Sequence, residues 1–187
     1  MTRARLGEPL TYPVAGLLED VAGTLRVYPV SGVTIGIGDD LELAEPIDGQ
    51  VRLTRTNRGL IVDADLHAAL ATKCSRCLRD VDVPITLKIR EEALPSVELA
   101  TGTPLDTSRE PDALWLTARH ELLLEPVVRD EIYLAEPIAP LCRPDCPGLC
   151  VTCGLELKGG PHAHAEEIDE RLSVLRGFTV DGEAESG

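Results

Sequence analysis

Six cysteines fall in three close pairs, and they are the residues whose spacing most directly implies chemistry. They read Cys74-Ser75-Arg76-Cys77, Cys142-Arg143-Pro144-Asp145-Cys146 and Cys150-Val151-Thr152-Cys153-Gly154. Two sulfurs separated by two or three residues can face one ion, and zinc takes four such ligands in a tetrahedron. Gly154 fits that reading. A tight turn that aims backbone N–H groups at thiolate sulfur needs a positive φ, which glycine adopts without strain. Those N–H groups also offset thiolate charge. His162 and His164 follow in a His-x-His pair, whose imidazoles share one side of an extended segment.

Together these are eight candidate ligands, enough for one or two Zn²⁺ ions. The favoured wiring joins Cys74 and Cys77 with Cys150 and Cys153, and Cys142 and Cys146 with His162 and His164. An alternative gathers Cys142, Cys146, Cys150 and Cys153 on one ion. Disulfides suit an even cysteine count, but the chain start has no apolar block of the secretory kind, so a reducing, cytoplasmic setting is expected. An iron–sulfur cluster also wants four thiolates. A redox Cys-x-x-Cys usually opens a helix after a strand, whereas Cys74 sits between strands. All-cysteine sites are usually closed and structural. No His-Glu-x-x-His helix, phosphate-binding glycine loop or nucleophile elbow is present. Asp63 with Asp65, and Arg119-His120-Glu121, read as solvated surface. No enzyme signature and no small-molecule substrate emerge.

Charge points to macromolecular partners. The net charge is −14 over 187 residues. Residues 51–90 nevertheless hold eight basic against four acidic residues, and residues 91–140 hold three against eleven. Arg52, Arg55, Arg58, Arg76 and Arg79 form a basic strip that could touch phosphate, while acidic faces could hold a basic protein. The strip lacks aromatics, which argues against base stacking. No apolar run approaches the roughly 20 residues that span a bilayer, so no membrane partner is expected.

The elements that must position these groups read as α+β. Hydrophobic residues make up 43% and aromatics 3%, so the core is aliphatic. Residues 23–30 read as a strand, and residues 31–50 as loop with at most one short strand. Alternation on either side of Asn57-Arg58-Gly59 reads as a hairpin. The run 68–72 leads into Cys74, and 81–90 leads away, with Pro84 suited to an edge or bulge. The result is an antiparallel meander, or open barrel-like sheet, with a cysteine-bearing connection and a C-terminal Cys-rich zinc-knuckle region. Residues 91–112 read as a mobile surface loop and 113–118 as a short strand. Pro126 opens a helix to about Ala135, with Val128, Ile132 and Ala135 on one face. Glu166–Arg176 reads as a short helix. The expected organisation is a β domain over 1–140, a Cys/His-rich segment over 141–176 packed on it, and a polar tail over 177–187.

In three blocks the chain resembles the YceD family, which is associated with accumulation of large-subunit ribosomal RNA. The blocks are Cys74-Ser75-Arg76-Cys77-Leu78, the acidic helix entry from Leu124 to Leu134, and the segment Leu141 to Gly154. The last is the most specific. Many relatives end in a further Cys or His pair, a place taken here by His162 and His164. Some relatives keep only the first cysteine pair, which implies metal as a staple and not the agent of function. The resemblance implies a non-enzymatic ribosome-biogenesis factor acting on the pre-ribosomal large subunit, through rRNA or a basic ribosomal protein. A thiol- or zinc-based redox sensor is the alternative reading.

Overall fold

The computed structural model describes residues 10–38, 41–158, 160, 162–164 and 171. The expected helix over 166–176, apart from Arg171, and the tail over 177–187 lie outside the described residues. The chain divides into two compact units, Met1–Cys146 and Pro147–Gly187. Cys142 and Cys146 therefore belong with the sheet.

The first unit is built on one open five-stranded sheet. Its strands are β2 (Leu25–Val33), β3 (Glu42–Arg55), β4 (Leu60–Lys73), β5 (Asp80–Leu94) and β6 (Leu114–Trp115), in that spatial order. The first four form an antiparallel meander, and β6 adds parallel to β5 through Ala93 and Leu94. The sheet is mixed, and it is not a closed barrel: β2 and β6 remain its edges. Because β6 meets only Ala93 and Leu94 of β5, no strand among the described residues pairs with the outer edge of β5 at Pro84, a position that suits proline.

The expected loop over 31–50 is corrected by β3, which starts at Glu42 and runs fourteen residues. Its first half carries Pro46, Asp48 and Gly49, all loop-like in sequence. Register shifts between Leu43 and Asp48 absorb the irregularity. Gly49 has φ 144° and faces the β4 backbone so closely that a Cβ there would sit 2.2 Å from the Asp65 carbonyl oxygen.

One sheet face is covered. Strand β1 (Thr11–Pro13) pairs with β7 (Glu121–Leu123), and two helices, α1 (Ala15–Leu18) and α2 (Glu125–Ala135), add apolar side chains. Leu17, Leu122, Val128 and Ile132 bury with Val51, Leu53, Val62, Leu66 and Leu87 in one aliphatic core. The helix starts as its proline requires, with Pro126 in the first turn. The opposite face is polar. Arg52 of β3, Asp63 of β4 and Arg90 of β5 stand in one cross-strand row there. No helix among the described residues is long and apolar enough to cross a membrane.

Candidate metal centres

Cys74 and Cys77 stand on the reversal between β4 and β5. The Cys74 amide donates to the Arg79 carbonyl and the Leu78 amide to the Cys74 carbonyl, each at 2.8 Å. This folds the chain back around the two sulfurs. It also forces Leu78 to φ 60°, a left-handed conformation unusual for leucine. The Ser75 amide and Ser75 Oγ both donate to the Pro140 carbonyl at 2.8 Å, and Arg76 donates to the Cys146 carbonyl at 2.9 Å. Those three bonds bring the segment 140–146 onto the reversal.

The result is a cluster of four thiols whose sulfurs all lie within 4.8 Å of one another: Cys74, Cys77, Cys142 and Cys146. The Sγ–Sγ distances are 3.8 Å for Cys74–Cys146 and 3.6 Å for Cys77–Cys142. A tetrahedron with Zn–S bonds of about 2.3 Å has edges of about 3.8 Å. The spacing thus fits one zinc-sized ion and is far from the roughly 2.05 Å of a disulfide. Cys74, Cys77 and Cys146 are 0%, 6% and 1% exposed.

The electrostatics agree. Backbone N–H groups of Cys142, Cys77 and Arg76 aim at the Cys74 sulfur, with Cys142 contributing most, and hold its thiol down at about 6 against burial. The Arg79 amide and side chain lower Cys77. Cys142 is pushed the other way, up to about 12, by burial and then by the neighbouring sulfurs. Four thiolates cannot share so small a volume unaided; a cation at the centre lets all four ionise.

The second unit contains a matching reversal. The Cys150 amide donates to the Leu155 carbonyl and the Gly154 amide to the Cys150 carbonyl, again at 2.8 Å, with Gly154 at φ 71°. Cys150 is lowered to about 6, chiefly by the backbone N–H groups of Cys153 and Thr152. Its sulfur lies 3.1 Å from His164 Nε2, and Cys153 Sγ lies 3.1 Å from His162 Nε2. Cys150, Cys153, His162 and His164 form the second group that could hold a metal ion.

All eight candidate ligands are thus gathered, but the favoured wiring is corrected, as is its alternative. The two Cys-x-x-Cys reversals fall in separate clusters. Each has its own partner pair: Cys142 and Cys146 for the first, His162 and His164 for the second. The reasons are local. Ser75 and Arg76 capture residues 140 and 146, which no spacing rule shows. The histidines lie only 9 and 14 residues from their cysteine partners, so loop closure costs little.

The strip arginines separate. Arg76 and Arg79 serve the first centre. Arg55 is spent on backbone carbonyls of Leu18, Thr56 and Gly59. Arg52 pairs with Asp63, and Arg58 with Glu92 and Glu110. A feature the sequence showed only as charge is a shallow groove of roughly 330 Å³ beside α2, lined by Glu91, Asp112, Asp130, Glu131, Leu114 and Leu134 among others. Among the described residues none of its four carboxylates has an ion-pair partner. Leu134 is 79% exposed.

Fold and clusters define a small β-sheet protein able to clasp metal at a strand reversal and at a C-terminal knuckle. Residues 62–179 match the family described as "Large ribosomal RNA subunit accumulation protein YceD", and the chain belongs to that family. It is 30% identical over 173 residues to Uncharacterized protein Rv2926c of Mycobacterium tuberculosis (strain ATCC 25618 / H37Rv), covering 91% of this chain and 81% of that one. It is likewise 30% identical over 172 residues to Uncharacterized protein ML1660 of Mycobacterium leprae (strain TN), covering 90% and 76%. No solved structure gives a significant match.

Proposed function

We propose that this protein is a non-enzymatic, cytoplasmic ribosome-biogenesis factor that supports accumulation of large-subunit rRNA, with zinc in both clusters as structural staples. Family membership is the observation that carries this reading. The clusters support the structural role of the metal. Each supplies four ligands, which leaves no corner for a substrate or an activated water. Cys74, Cys77, Cys142 and Cys146 would hold one ion; Cys150, Cys153, His162 and His164 would hold the other. The ion supplies cross-linking and charge neutralisation.

The balance of charges favours a basic ribosomal protein over rRNA as the main contact on the pre-ribosomal large subunit. The groove beside α2 presents unpaired carboxylates around an apolar floor, which suits a lysine- or arginine-bearing segment. Of the strip, Arg52 and Arg58 keep enough exposure for a small phosphate contact, at 36% and 57%. Arg55, Arg76 and Arg79 would contribute only by holding the surface in shape.

Affinity capture from cell extract at two salt concentrations tests this. The wild type should bring down large-subunit rRNA with ribosomal proteins. Glu91→Lys with Asp130→Lys should abolish capture, while Arg52→Ala with Arg58→Ala should weaken it modestly and flatten its salt dependence. Capture that survives the charge reversal but disappears with the arginine pair would make rRNA the direct partner. Absence of large-subunit components at both salts would overturn the reading.

A further inference from the structure

We infer that the two centres differ in permanence: the Cys150, Cys153, His162 and His164 centre is an exchangeable zinc site opened by oxidation, whereas the four-cysteine centre retains its ion. The inference rests on the metal reading given under Proposed function and adds a regulatory property to one site.

Access is the first difference. In the four-cysteine cluster three thiols are buried, whereas Cys153, His162 and His164 are exposed and Cys150 is half-buried. The surroundings are the second. The buried cluster is clamped by Ser75 on Pro140 and by Arg76 on Cys146. Among the described residues the exposed cluster is held by its own reversal, through the Cys150–Leu155 and Gly154–Cys150 backbone bonds. Clamps such as those of Ser75 and Arg76 hold the ligand-bearing segments together when the metal is absent, which slows its loss.

Ligand chemistry is the third difference. The sulfurs of Cys150 and Cys153, like those of Cys74 and Cys77, lie within 4.8 Å of each other on a Cys-x-x-Cys turn that can close a disulfide, but here the ligands left behind are two histidines and not two more cysteines. Hydrogen peroxide would accept two electrons from the two thiolates. Its O–O bond breaks, two protons are taken up and two waters form, while one S–S bond joins Cys150 to Cys153. Two neutral imidazoles remain, too few to hold Zn²⁺, and the ion leaves to solvent.

Loss of the ion should also loosen the knuckle. Among the described residues of the second unit no apolar side chain is buried, and Val151 and Leu155 are 103% and 65% exposed. Among these described residues the ion would stand where a core otherwise would, so its departure should loosen them. The first unit keeps its aliphatic core whichever way the second centre stands.

The test uses the reduced, zinc-loaded full-length chain. Zinc released to a colorimetric chelator is measured with and without stoichiometric hydrogen peroxide, and disulfides are mapped by peptide mass spectrometry. One equivalent should leave on oxidation, with the new bond between Cys150 and Cys153. A thiol reductant plus zinc should restore it, and the second equivalent should stay until guanidinium unfolds the sheet. His162→Ala with His164→Ala should purify with one equivalent and unchanged unfolding of the first unit. Simultaneous loss of both equivalents, or a disulfide mapped to the buried cluster, would overturn the inference alone. A chain that takes up no zinc would overturn the metal reading with it.

Discussion

Replacing Arg55 with alanine separates a scaffold role from a nucleic-acid role within the basic strip. Arg55 ends β3, and its guanidinium reaches three carbonyls. Nε donates to Leu18 at 2.9 Å, and one terminal nitrogen donates to Gly59 at 3.0 Å and to Thr56. One side chain thus ties the end of α1 to both sides of the β3–β4 hairpin. A hydrogen bond from a charged donor contributes about 1.5–3 kcal/mol, but this side chain is only half-buried and water can replace it in part. At about 1 kcal/mol each, the three bonds sum to about 3 kcal/mol, a large share of a typical total of about 5–15 kcal/mol. With a urea slope near 2 kcal/mol/M, the unfolding midpoint should fall by about 1–1.5 M. Arg55→Lys should recover little, because one ammonium cannot span the fork. Arg52→Ala and Arg58→Ala break a half-buried and an exposed set of ion pairs and should each cost about 1 kcal/mol or less. A wild-type midpoint for Arg55→Ala, or an equal fall for Arg52→Ala, would refute the reasoning.

Three further outcomes are expected. Gly154→Ala puts a side chain at φ 71° with nothing within 4 Å, so backbone strain alone of about 1–2 kcal/mol should weaken zinc binding at the proposed second centre roughly tenfold in a competition titration. Gly49→Ala drives Cβ into the Asp65 carbonyl at 2.2 Å and Leu66 Cα at 2.9 Å, and should lower stability by about 3 kcal/mol or more in urea. Tyr12 is held up at about 12 by burial and then by Tyr28, so its stabilising contribution is complete below pH 10 and is lost as pH rises towards 12. Tyr12→Phe should flatten that alkaline loss in urea midpoints measured across this window, with no effect of the same kind at neutral pH.

The cysteine pairs were legible because each is local: two or three residues of separation suffice to identify them. Their grouping was not, because it depends on Ser75 and Arg76 reaching Pro140 and Cys146, a tertiary event with no signature in spacing. The hairpin at 57–59 and helix α2 were legible for similar reasons: turn residues between alternating runs, and a proline ahead of Val128 and Ile132. The first half of β3 was hidden by Pro46, Asp48 and Gly49, which read as loop until their bulged pairing with β4 is seen. Charge counting found the acidity of 91–140 but could not show that Glu91 of β5 and Asp130 of α2 meet across one groove. It likewise showed Arg55 as basic without showing that its fork is already engaged.

The two cysteine reversals share the same backbone path, yet one turns on Leu78 and the other on Gly154. A leucine in that crook resists the bend by about 1–2 kcal/mol, so the first reversal holds its shape only with help from outside its own loop. The glycine version meets no such resistance. By that measure the C-terminal loop is a portable module that could be grafted as a short peptide, while its counterpart is native to one address between β4 and β5.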